Sequence, residues 1–160
     1  GQMGVWAEAD DFAKTDRQML GLCVKHPAAA RRLLGFSAWM AKKRPSSATR
    51  SFAKELSESD RVLLTELGSP EEAMVLFTQA FTNGAQGVVD DYRAIAHPWA
   101  VELGRVGAVT IWQGDADTMV PLRHSEALAE RLPESTLTVW PGEGHLGPIT
   151  HIEEILDTLV

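Results

Sequence analysis

The chain has 160 residues, 44% of them hydrophobic, which is enough to bury a core and excludes an intrinsically disordered chain. Its formal net charge is −7 and it carries no clustered basic stripe, so it is not expected to bind nucleic acid. Cys23 is the only cysteine, which rules out an intrachain disulfide and fits a cytoplasmic location; no apolar run approaches the roughly 20 residues of a membrane helix, so no membrane partner is expected.

Gly1-Gln2-Met3 reads as a cloning remnant or a cut end and is set aside. From there to about Leu103 the apolar residues recur at helical spacing. Phe12, Met19, Leu20 and Cys23 form one apolar face. Pro27 opens a second helix, whose stripe is Ala30, Leu33, Leu34, Ser37 and Met40; Pro45 stops it. Lys42-Lys43-Arg44 falls where that helix ends, and cations there favour the negative end of its dipole. A shorter helix is expected around Arg50 to Glu55. Ser57-Glu58-Ser59-Asp60 resembles a capping box, followed by Leu63, Leu64, Leu67 and a terminating Gly68. Ser69-Pro70-Glu71-Glu72 is a stronger helix start. That helix carries Met74, Val75, Phe77 and Phe81 and is expected to run on, kinked, past Gly84 and Gly87 toward Ile95, ending at His97-Pro98.

After Val106 the pattern changes. Ala108 to Trp112 is a short β-branched run that reads as a fully buried strand, and Thr136 to Trp140 is a second strand. Helices are expected from about Leu122 to Leu132 and from about Ile149 onward. Strand–helix–strand–helix at this spacing is a βαβ unit with parallel strands and a right-handed crossover. Two strands are few for a parallel sheet, so something else should cover their edges: a missing half of the fold, or a second copy in a homodimer.

The loops that follow the two strands carry the chemistry. The first is Gly114-Asp115-Ala116-Asp117-Thr118-Met119-Val120-Pro121, the second Pro141-Gly142-Glu143-Gly144-His145-Leu146. In open α/β sheets, sites lie at the carboxyl ends of strands, and adjacent parallel strands bring such loops together. A carboxylate that reaches an imidazole across them fixes its tautomer and stabilises its cation, so the histidine can act as a general base.

Gly-x-x-Asp-x-x-Val-Pro after one strand and Gly-x-Gly-His-Leu after the next resemble the acid and histidine loops of α/β-hydrolases, and acid before histidine is the order of that family. The lid stretch, with Asn83-Gly84-Ala85-Gln86-Gly87 and His97-Pro98-Trp99, is similar to actinobacterial members. The resemblance implies an incomplete α/β fold: a helical lid over residues 1–105, then the last two parallel strands and helices of the hydrolase sheet over 106–160. By match to the motifs, Asp117 is the catalytic acid and His145 the catalytic histidine. Asp115 is the alternative acid, or a loop residue that bonds backbone amides.

The nucleophile is missing. Gly-x-Ser-x-Gly does not occur; the nearest serine, Ser37 in Gly35-Phe36-Ser37-Ala38-Trp39, lacks the second glycine and sits in an expected helix. The implied function is the C-terminal part of a serine-type hydrolase of esters or related acyl compounds, acting on a small-molecule substrate, without a cofactor and inactive alone. A non-catalytic binding or dimerisation module is the alternative. Family epoxide hydrolases use two lid tyrosines, and here there is only Tyr92; dehalogenation depends on residues outside the sequence. Trp6 and Trp39 are candidates to line a cleft beneath the lid. No metal site is expected: Asp115-x-Asp117 lacks further calcium ligands, His145 and His151 lack zinc spacing to any cysteine, and Cys23 reads as a buried small hydrophobe.

Overall fold

The computed structural model describes residues 2–3, 7–8, 14–66, 68–98 and 101–158. They form two compact units, one of residues 1–54 and 64–100, the other of 55–63 and 101–160.

Among the described residues the first unit is helical apart from a short antiparallel pair, β1 (Gln2–Met3) with β2 (Ala7–Glu8). Its helices are α1 (Lys14–Lys25), α2 (Pro27–Lys43), α3 (Pro45–Ala53), the end of α4 (Glu58–Glu66), α5 (Pro70–Ala73), α6 (Val75–Gln79) and α7 (Gln86–Ala96). Cys23, Ala30, Leu34, Ala85 and Val89 make its core, with Met19, Leu22, Phe81, Val88 and Tyr92 packed around them. The α1 face is as expected at Met19, Leu20 and Cys23; Phe12 lies outside the described residues.

The α2 stripe needs correction. Its buried positions are Ala30, Leu34, Ala38 and Ala41, while Leu33 and Ser37 are exposed. Small alanines let neighbouring helices approach closely, so the bulkier stripe drawn from hydrophobicity alone is rotated off the contact. Pro45 does not merely stop α2: it starts α3, earlier than the helix expected at Arg50 to Glu55. The capping box at Ser69 is complete, with the Glu72 N–H donating to Ser69 Oγ (3.3 Å) and the Ser69 N–H to Glu72 Oε2 (2.7 Å). The long kinked helix expected after it is instead three pieces. The chain turns over 80–85, where Gly84 takes φ +86°, a left-handed conformation that suits glycine, and the Thr78 and Thr82 hydroxyls bond carbonyls three residues back.

The second unit holds β3 (Val109–Gly114), α8 (Leu122–Arg131), β4 (Ser135–Trp140), α9 (Gly147–Thr150) and α10 (Ile152–Asp157), together with the start of α4. β3 and β4 pair in parallel with Val109 opposite Ser135 and Gly114 opposite Trp140. The strands are the expected ones, but β3 is not fully buried: only Gln113 and Gly114 are, and Thr110 is exposed. Among the described residues this sheet has two strands, so each has one open edge. Trp140 is buried at the end of β4; its ring stacks on His151 (4.4 Å between centroids) and its indole N–H donates to Glu154 (3.1 Å), which ties α10 to the strand end. No described helix is long and apolar enough to cross a membrane.

Candidate active site

The parallel register sets the loops after β3 and β4 side by side, and backbone bonds join them. The Asp115 N–H donates to the Trp140 carbonyl (3.2 Å) and the Ala116 N–H to the Glu143 carbonyl (2.9 Å). The Asp115 carboxylate accepts from the Gly142 N–H (2.6 Å), so it serves the loop backbone and leaves Asp117 to face the histidine.

Asp117 points the other way. Its Oδ1 accepts the N–H groups of Met119 (2.8 Å) and Val120 (2.9 Å), and its Oδ2 lies 3.0 Å from His145 Nδ1. The Asp117 side chain is 4% exposed and that of His145 40%: a buried carboxylate holds an accessible imidazole by one ring nitrogen. Burial alone would raise the Asp117 carboxyl, but the hydrogen bonds from His145, Val120 and Met119 outweigh it and hold the group below its ordinary 3.8. A carboxyl lowered by folding stabilises the folded state fully above its ordinary value, and that contribution is lost as pH falls through the lowered one. Comparing wild type with Asp117→Asn, the stability gap seen in urea at neutral pH is expected to shrink below pH 3.8. A gap independent of pH would show that the carboxylate charge is not what the loop holds.

Gln113, the last-but-one residue of β3, escaped the sequence reading. It is buried, and its Nε2 donates to Asp117 Oδ2 (2.9 Å) and the Val120 carbonyl (3.1 Å), while its Oε1 accepts from the Ser125 hydroxyl of α8 (2.8 Å). A chain Ser125–Gln113–Asp117–His145 results, in which every orientation is set by the next donor. The only signal in the sequence is an amide at the end of an apolar strand, next to the glycine of the acid loop.

The other candidates that are described belong to the first unit. Trp39, on α2, is 53% exposed, stacks on Phe36 (5.8 Å) and lines an apolar groove of about 210 Å³ with Ala38, Phe81 and Ala85. Trp6 lies outside the described residues. Ser37 is exposed in the middle of α2. Cys23 is fully buried, and burial pushes its thiol up. Tyr92 donates its hydroxyl to Asp16 (2.9 Å); burial, then the Asp16 charge, push its phenol up. Among the described residues no three His, Cys, Asp or Glu side chains are grouped to hold a metal ion.

Solved structures similar to this one include a bromoperoxidase and two esterases. A bromoperoxidase from Bacillus anthracis matches with a TM-score of 0.57 and 20% identity over 91% of this chain and 46% of its own. An esterase from Exiguobacterium antarcticum matches with a TM-score of 0.50 and 19% identity over 81% of this chain and 46% of its own. An esterase from a Rhodococcus species matches with a TM-score of 0.50 and 17% identity over 99% of this chain and 48% of its own. No family model matches the sequence, and neither does any curated protein. The fold is that of the α/β-hydrolases, in an incomplete form. The chain spans a little under half the length of each of these three structures.

Proposed function

We propose that this chain is the C-terminal part of a serine-type α/β-hydrolase, with a helical lid over residues 1–105 and a βαβα stretch over 106–160 that supplies the acid Asp117 and the histidine His145. The observation that carries this reading is the 3.0 Å contact from Asp117 Oδ2 to His145 Nδ1, at neighbouring loops of a parallel strand pair. A buried carboxylate that accepts the Nδ1–H hydrogen bond leaves the Nε2 lone pair on the far side of an accessible ring. From there Nε2 removes the proton of a serine as it attacks an ester carbonyl, returns it to the departing alcohol, and then activates the water that resolves the acyl-enzyme. The serine and the oxyanion hole belong to an N-terminal half outside this sequence. Small-molecule esters or related acyl compounds are the substrate class, in line with two matching structures that are esterases. This chemistry calls on no cofactor. A non-catalytic binding or dimerisation module would have no use for a buried carboxylate aimed at an accessible imidazole.

The chain alone is expected to hydrolyse p-nitrophenyl acetate no faster than buffer, because acid and base without nucleophile or oxyanion hole accelerate acyl transfer little. Joined to its N-terminal half it should turn the ester over and be silenced by a serine-directed phosphonate. Activity of the chain alone, or a complete protein indifferent to the phosphonate, would overturn the proposal.

The same reading accounts for the open edges of β3 and β4 and for the exposed Val139, Ile149, Ile152 and Leu156 of the second unit. Exposed apolar surface costs about 25 cal/mol per Å². With the N-terminal half absent, a homodimer formed by strand pairing or exchange of lid helices is expected to cover it. Light scattering at micromolar concentration should give twice 17.5 kDa; a monomer would refute the dimer.

A further inference from the structure

Asp60 is a buried acid that the acid–histidine pair does not use. The residue is 1% exposed and lies at the first turn of α4, where the Ser57 hydroxyl caps the helix by accepting the Asp60 N–H (3.1 Å). In a capping box the carboxylate would turn back onto the Ser57 N–H. Instead it reaches the loop after β4, 85 residues on: Oδ2 accepts the His145 N–H (3.0 Å) and Oδ1 the Leu146 N–H (2.7 Å). Removing a carboxylate from water is costly unless donors replace that water, and here two backbone N–H groups of the histidine loop do so.

A second observation is independent of those bonds. A methyl group at Gly144 would fall on the Asp60 carboxylate and the Ser57 hydroxyl, so the residue before the histidine is pressed against this turn with no room to spare. A third joins the acid loop to the same segment: the Thr118 hydroxyl, next to Asp117, donates to the Glu55 carbonyl (2.6 Å). Residues 55–60 therefore touch both loops of the pair, one through Thr118 and one through Asp60.

We propose that Asp60 is a positioning residue for His145: by holding the amides of His145 and Leu146 it fixes the backbone from which the imidazole extends, and with Thr118 it sets the distance to Asp117. The inference rests on the hydrolase reading for what that position is worth, but its geometry can be tested apart from it. Asp60→Asn keeps the shape yet offers one acceptor oxygen and one donor NH2 to two N–H groups, so one amide must lose its partner.

In the complete enzyme, Asp60→Asn is expected to lower kcat roughly 100-fold, the scale of a 1 Å misplacement, with KM unchanged within about twofold. In the chain itself, proton–nitrogen NMR should show one of the His145 and Leu146 amides, the one that loses its acceptor, moving upfield and the low-field Nδ1–H signal of His145 broadened or shifted. If the Asp60→Asn variant does not fold, Asp60→Glu keeps the charge and displaces both amides by a methylene, and a kcat lowered roughly tenfold is expected. An unchanged kcat with either folded variant, or an unmoved Nδ1–H signal in Asp60→Asn, reduces Asp60 to a structural residue and sinks the inference. Failure of the hydrolase reading looks different: the complete protein then has no phosphonate-sensitive turnover, while the NMR result still decides the role of Asp60.

Discussion

On the proposed hydrolase reading, Asp117→Asn is expected to lower kcat of the complete enzyme by roughly 10⁴-fold while leaving the fold intact. The reason lies in the two oxygens of Asp117. Oδ1 accepts the N–H groups of Met119 and Val120, so the amide oxygen of an asparagine must stay there. Its NH2 then falls where Oδ2 faces His145 Nδ1 and the Gln113 NH2. Against Gln113 it sets donor against donor. Toward His145 it donates, so Nδ1 becomes the acceptor and the neutral ring carries its proton on Nε2. That tautomer cannot take the proton of the proposed serine. Nitrogen-15 NMR of the imidazole should report the exchange of tautomers alongside the loss of kcat, and His145→Ala should be at least as damaging. An Asp117→Asn enzyme with near-normal kcat and the original tautomer would show that Asp117 does not orient the ring.

That pair was legible because each residue sits in a short motif whose loop shape is local. Gly114 and Pro121 bracket the acid loop, Gly142 and Gly144 lead into His145, and the β-branched runs before them mark the strands that bring the loops together. What the sequence concealed depends on partners distant along the chain. Gln113 looks like one polar residue in an apolar strand until Ser125 and Val120 are placed around it. Asp60 looked like half of a capping box, a local pattern that accounts for its position without any reference to a loop 85 residues away. The helical unit misled differently. Periodicity ran unbroken from Met74 to Ile95, and the break at Gly84 follows from a backbone conformation rather than from polarity. On α2 the hydrophobic stripe pointed to Leu33, whereas close helix contact selected Ala38 and Ala41.

The loop contact itself gives the second large effect. Gly114 ends β3 directly against the loop after β4: a methyl group there would overlap the backbone carbonyls of Glu143 and Gly144. A flexible side chain could swing aside, but these are main-chain atoms held by the Ala116 N–H on the Glu143 carbonyl and by the Gly147 N–H on the Gly144 carbonyl. Gly114→Ala must therefore push the histidine loop outward. Overpacking of this kind costs about 3 kcal/mol, and for a chain of this size that lowers the melting temperature by roughly 10 °C. Loop displacement also lengthens the Asp117–His145 contact from its 3.0 Å, so kcat of the complete enzyme should fall roughly 100-fold even below the melting range. Thermal melting followed by tryptophan fluorescence, with kcat measured well below the transition, separates the two effects. The matching change at Gly21 in α1, where a methyl group would meet nothing within 4 Å, should leave kcat unaltered and raise the melting temperature slightly, since alanine suits a helix interior better than glycine. Equal melting curves for Gly114→Ala and Gly21→Ala would mean that the two loops are not packed as tightly as their backbone bonds require.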